Sequence, residues 1–213
     1  CKDADGNLWV GTQYGLNKLP ARNIADHNYT FERFFYNEQK KSGEDVLVIF
    51  EDHLRRIWVG TYESGLSRYD SQRNEFISFP IFESSDGNSN VIHGILEDSE
   101  HYLWVSSNHG ISKVNPENGN TLTFDESDGL VSNEFNNNAC FKSQSGMMYF
   151  GGPQGLSAFF PDKIRTNRYA PSTVITDLKL CTQSVKPRAP HVLFTTLSIT
   201  THETTHEHVP ATV

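Results

Sequence analysis

Ile57-Trp58-Val59-Gly60-Thr61-Tyr62-Glu63-Ser64-Gly65-Leu66-Ser67-Arg68-Tyr69 reads as a hairpin, and three other stretches repeat its order. Upstream lies Leu8-Trp9-Val10-Gly11-Thr12-Gln13-Tyr14-Gly15-Leu16. Downstream lie Leu103-Trp104-Val105-Ser106-Ser107-Asn108-His109-Gly110-Ile111 and Met148-Tyr149-Phe150-Gly151-Gly152-Pro153-Gln154-Gly155-Leu156. The aromatic anchors Trp9, Trp58, Trp104 and Tyr149 recur at spacings of 49, 46 and 45 residues. A period in this range marks an array of one supersecondary unit.

Within the unit, Trp58 and Val59 form an apolar, strand-favouring run. Gly65 supplies the backbone freedom for an antiparallel return, and Leu66 to Tyr69 alternates as a half-exposed strand. Val46 to Phe50 precedes the hairpin and Phe76 to Phe79 follows it. Each repeat is thus a four-stranded antiparallel sheet, the blade of a β-propeller. The fold class expected is all-β, an arc of about four blades. The first blade lacks most of its innermost strand and the last lacks an outer one, which predicts 14 strands.

The chain has 213 residues, of which 36% are hydrophobic and 12% aromatic, enough for a sizeable core. It contains no run of ~18 apolar residues of the kind that spans a bilayer. A net charge of −8 argues against nucleic acid and anionic lipid as partners. Cys1, Cys140 and Cys181 are too few and too scattered for a disulfide framework or a metal cluster.

Along the chain, blade one has its outer strand at Phe31 to Tyr36, and Asn37 to Asp45 crosses to blade two, which runs from Val46 to Phe79. Pro80 to Asn90 crosses to blade three, from Val91 to Phe124. Asp128 opens the fourth unit, with strands around Ala139 to Lys142, Met147 to Gly151 and Leu156 to Phe159. Blades are expected over 1–162 and a linker over 163–171. A fresh alternating strand follows at Thr173 to Leu180.

The pattern Asp-x-x-Gly-x-Leu-Trp-Val-Gly-Thr-x-x-Gly-Leu, intact at Asp3 to Leu16, resembles the two-component-regulator propeller repeat. Asp128-Gly129-Leu130, Ser132-Asn133-Glu134-Phe135-Asn136, Gly151-Gly152, Gly155-Leu156, Phe159 and Pro161 resemble the last blade of that family's second propeller. Residues 172–187 are similar to the start of the immunoglobulin-like sandwich domain that follows it. The resemblance implies the periplasmic sensor region of a hybrid sensor histidine kinase, anchored in the inner membrane by a segment outside this chain. It also implies a homodimer in the full-length receptor and a carbohydrate or oligosaccharide ligand. Two departures stand out: Ser106-Ser107 replaces Gly-Thr in blade three, and Leu54-Arg55-Arg56 occupies the place of a turn glycine in blade two.

Residues 188–213 depart from the family and read as an atypical, disordered tail. It holds His202-Glu203-Thr204-Thr205-His206, with His208 nearby. That spacing binds zinc when a helix puts both histidines on one face. Thr204 and Thr205 are poor helix formers and Pro210 blocks continuation, so no metal site is expected there. Asp3-Ala4-Asp5-Gly6-Asn7 reads as a turn, not a calcium loop, because no bidentate glutamate follows at the right distance. The tryptophans read as core packing, not sugar-stacking platforms. No catalytic constellation, cofactor or metal is expected.

The turns between second and third strands open on one rim and carry Tyr14, Tyr62, Glu63, Asn108, His109 and Gln154. Aromatic faces beside amide and carboxylate groups suit a polar ring such as a sugar. Two classes compete: a ligand-sensing module that relays to a histidine kinase, and a stand-alone propeller acting as a polysaccharide lyase or binding scaffold. Fold alone does not separate them.

Overall fold

Alternation along Ile57-Trp58-Val59 sends Trp58 to one face of its sheet and Ile57 and Val59 to the other, and both faces are buried. A strand can bury both faces only between two other layers. The computed structural model of the chain has this arrangement. It describes residues 1–34, 45–73, 75–79, 81 and 91–164, together with the backbone of 179–180 and 183–184.

Four antiparallel sheets follow one another in the unit Cys1–Ile164. The first contains β1 (Leu8–Thr12), β2 (Gly15–Leu19) and β3 (Glu32–Phe34). The second contains β4 (Val46–Glu51), β5 (Ile57–Thr61), β6 (Leu66–Asp70) and β7 (Glu75–Phe79). The third contains β8 (Ile92–Glu97), β9 (Leu103–Ser107), β10 (Gly110–Val114) and β11 (Thr121–Phe124). The fourth contains β12 (Cys140–Lys142), β13 (Met148–Gly152) and β14 (Gly155–Phe159). Among the described residues of this unit these are 14 strands, in the expected division of three, four, four and three. Lys2 bridges Leu8 where β4 and β8 run in the later blades. Of the expected outer strand at Phe31 to Tyr36, Phe35 and Tyr36 lie outside the described residues.

Three cores lie between consecutive blades. Trp9, Leu16 and Phe34 of blade one meet Val46, Ile57 and Val59 of blade two. Trp58 and Leu66 meet Ile92, Leu103 and Val105 of blade three. Trp104 and Ile111 meet Met148 and Phe150 of blade four. Each tryptophan thus faces the following blade, and none is more than 2% exposed, which is core packing.

The departures in blade three compensate each other. In blade two, Gly60 lies opposite Val48, and a Cβ on Gly60 would come within 2.5 Å of Val48 Cγ1 and Ile92 Cγ2. In blade three, Gly94 replaces that valine, opening space for the Ser106 side chain. Ser107 keeps the turn-stapling role of threonine, donating to the Gly110 carbonyl at 3.2 Å and accepting from His109 N at 3.0 Å.

One element was not foreseen. Between the first hairpin and Phe31, Ala21–Ala25 form a short helix, α1. Pro20 stands before it with φ −60, and Ala21 and Arg22 are good helix formers. The second unit is described only at a small hairpin, β15 (Lys179–Leu180) with β16 (Gln183–Ser184). The rest of the expected strand from Thr173, the segment 165–171 and the tail with His202, His206 and His208 lie outside the described residues.

Candidate functional site

The two rims of the array are built differently. On one rim, the turn between the first and second strands of blades one to three is closed by an aspartate. Asp3 Oδ1 accepts from Asn7 N at 2.8 Å, Asp52 Oδ1 from Arg56 N at 2.9 Å, and Asp98 Oδ1 from Tyr102 N at 2.9 Å. The other carboxylate oxygen accepts the indole N–H of Trp9, Trp58 or Trp104 at 2.7, 2.8 and 2.8 Å. The cross-strand partner of each tryptophan is a cation, Lys18, Arg68 or Lys113, which lies 5.0, 5.9 and 5.7 Å from the ring centroid. A buried indole needs a partner for its N–H, and a cation over its face adds electrostatic attraction. Blade four lacks the set: Ser143, Tyr149 and Ala158 stand at the equivalent places. Burial opposes ionisation of Asp3 and Asp52. Hydrogen bonds from Asn7 and Trp9 to Asp3, and from Trp58 and Arg56 to Asp52, outweigh it and hold both carboxyls below the usual range.

The third residue after the aspartate, or after Ser143 in blade four, has positive φ: Gly6 (85), Arg55 (63), His101 (67) and Gly146 (87). Arg55 therefore fills a glycine's conformation. Its side chain reaches back to Asp5 of the preceding turn at 3.0 Å.

The same rim carries a cluster that sequence reading missed. Glu97, at the end of β8, accepts a hydrogen bond from His53 N through Oε2 at 3.0 Å. Its Oε1 contacts both His53 Nδ1 and His101 Nδ1, the latter at 3.2 Å. The two imidazoles stack with centroids 3.5 Å apart. Ligand-capable atoms of the three residues all lie within 4.8 Å of one another. Beside them is a cavity of about 280 Å³, lined by His53, His101, Glu100, Tyr102, Asn115 and Glu117 among others.

The opposite rim carries the residues read from sequence as ligand contacts. Tyr14 and Tyr62 are 77% and 51% exposed, Glu63 and Gln154 are exposed, and Asn108 and His109 are half-buried. Tyr62 with Glu63, and Asn108 with His109, are neighbours within their turns, while the four turns belong to four different blades. Here the chain crosses between blades three and four. The end of β11 and the crossing at 125–138 pass over two glycines that must stay bare: a Cβ on Gly110 would meet the Phe124 carbonyl at 2.1 Å, and one on Gly152 the Glu134 carbonyl at 2.2 Å. Cys140 lies on β12, where burial pushes its thiol up despite a hydrogen bond from the Ile95 backbone, unlike an activated nucleophile.

The family model for the two-component regulator propeller matches residues 1–14 and 86–109. A protein of Formosa agariphila named histidine kinase P4 is 38% identical over 183 residues, covering 86% of this chain and 13% of that protein. The extracellular domain of a hybrid two-component system from B. thetaiotaomicron superposes with a TM-score of 0.66 at 24% identity, over 95% of this chain and 26% of that one. A virginiamycin B lyase from Staphylococcus aureus shares the fold at 13% identity with a TM-score of 0.52, over 75% of this chain and 53% of that one. The chain thus spans 13% of the length of that histidine kinase and 26% of that extracellular domain. With its periodic hairpins, aspartate-closed turns and matching repeats, the chain belongs to the two-component regulator propeller proteins.

Proposed function

We propose that the chain is part of the extracytoplasmic, ligand-sensing region of a two-component receptor, working in the periplasm and relaying to a histidine kinase. The 38% identity to a protein named histidine kinase P4 carries this reading. The ligand proposed is a carbohydrate or oligosaccharide, bound along the rim of Tyr14, Tyr62, Glu63, Asn108, His109 and Gln154, and the region itself is non-catalytic. The blades over 1–162 would end in a linker at 163–171, with a sandwich domain from 172 passing the signal on within a homodimeric receptor. A ligand shifts such a receptor only by its difference in affinity for the two signalling states. Likeness to a lyase supports the enzyme alternative through fold alone.

The test is calorimetry and product analysis on the full extracytoplasmic region with a panel of oligosaccharides. Saturable binding without new reducing or unsaturated ends is expected. Turnover of a glycan would overturn the non-catalytic reading, and binding of none would overturn the ligand class.

A further inference from the structure

We propose that His53, Glu97 and His101 bind one divalent transition-metal ion of the zinc class, tying blade two to blade three and leaving a coordination position open to the adjoining cavity. Two imidazoles and a carboxylate are the donor set that borderline ions such as zinc prefer, whereas calcium and magnesium take oxygen ligands. Glu97 Oε1 already contacts both Nδ1 atoms. In that arrangement each Nδ1 must donate a proton to one shared oxygen. A single dication placed among the same three atoms accepts all their lone pairs, with each imidazole keeping its proton on Nε2 instead.

The span of 4.8 Å is wider than the roughly 3.4 Å between ligands around a tetrahedral zinc. The His101 side chain is 54% exposed and that of His53 31%, so rotation of the rings can close the difference. Glu97, at 12%, is the fixed member, and Lys142 Nζ is engaged at 2.6 Å by its backbone carbonyl, not by its carboxylate. Three protein ligands leave a fourth position open, and His53 and His101 also line the cavity.

Two observations show that the imidazoles are not needed for the inter-blade contact itself. Between blades one and two, Glu51 Oε2 accepts from Ala4 N at 2.8 Å, the same link that Glu97 Oε2 makes to His53 N, with no histidine present. His101 also takes the positive φ that Gly6 and Gly146 supply in blades one and four. A strained residue kept in that conformation points to a use for its side chain.

The experiment uses the full chain carrying His202→Ala, His206→Ala and His208→Ala, so that the histidines of the tail cannot contribute. After chelator treatment it is titrated with Zn²⁺ by calorimetry and with Co²⁺ by visible absorption. One ion per chain at micromolar affinity, with a cobalt d–d band, is expected. His101→Gly, which relieves the backbone strain, and Glu97→Gln should each weaken zinc binding at least tenfold while circular dichroism stays unchanged. Absence of binding by the reference chain, or full affinity retained in both variants, would overturn the site.

Discussion

Trp58 donates its indole N–H to Asp52 Oδ2 at 2.8 Å, six residues back across a tight turn, and neither residue is more than 5% exposed. Asp52 Oδ1 accepts Arg56 N and Leu54 N, so a single carboxylate satisfies an indole and the turn backbone. Trp58→Ala should cost about 3–5 kcal/mol, the usual range for truncating a buried aromatic. Asp52→Ala leaves several buried donors unsatisfied and should cost about 2–3 kcal/mol. Urea unfolding measures both. If Asp52→Ala proved neutral, the hydrogen bonds would be incidental to stability.

Acid should act through the same carboxylates. Asp3 and Asp52 have folded-state values below the ordinary one. A depressed value contributes stability that is fully present above the unfolded value of about 3.9 and lost as pH falls through the folded value. Stability should therefore not be lost through these two groups from about pH 7 to about pH 5, and should fall steeply below about pH 4. Asp52→Asn should flatten that acid limb. Unfolding midpoints in a pH series test this, and an unchanged limb in the variant would refute it.

Arg55 occupies a left-handed conformation, with φ 63, for which glycine serves in blades one and four. Its ion pair with Asp5 joins side chains that are 64% and 70% exposed, a kind that contributes little. Arg55→Gly should therefore raise stability by about 1 kcal/mol, the cost of placing a β-carbon there. Thermal unfolding of the two proteins decides it, and a loss of stability would show the Asp5 contact to be worth more than the strain.

The blades were legible in sequence because each strand pair repeats a local signal: a tryptophan or Tyr149, a small turn and a glycine at nearly constant spacing. The aspartate of the repeat was legible as part of a pattern, but its bond to the indole was not, since that needs the register of the turn. Lys18, Arg68 and Lys113 carry no signal of their role, because only pairing across the hairpin puts them over the rings. The histidine cluster was harder still. His53 and His101 are 48 residues apart and occupy different positions in their turns, one and three residues after the aspartate. No local spacing links them; they meet because consecutive blades stack turn against turn.

The two glycines beneath the crossing at 125–138 give a sharper test of the fourth blade. Gly152 has a φ that other residues can adopt, so only the Glu134 carbonyl, 2.2 Å from an added Cβ, excludes a side chain. Gly152→Ala should cost about 3 kcal/mol, at the upper end for overpacking. Gly146, with nothing within 4 Å of its added Cβ, should lose only the preference for positive φ. The ordering of Gly152→Ala below Gly146→Ala in denaturant midpoint is the measurement, and the reverse order would contradict the close crossing.

The rim residues make the opposite prediction, for function without stability. Tyr62 is 51% exposed and lies outside the three blade-to-blade cores. His109 contributes its backbone N–H to Ser107, which an alanine would keep. Tyr62→Ala should therefore shift the unfolding midpoint by no more than about 0.5 kcal/mol equivalent, and His109→Ala is the second rim variant. In the full-length receptor each should raise the ligand concentration for half-maximal signalling at least tenfold, because a sugar stacked on an aromatic ring loses that face outright. Loss of response together with unfolding would place these residues in the scaffold. An unchanged response in both variants would move the ligand to another surface of the propeller.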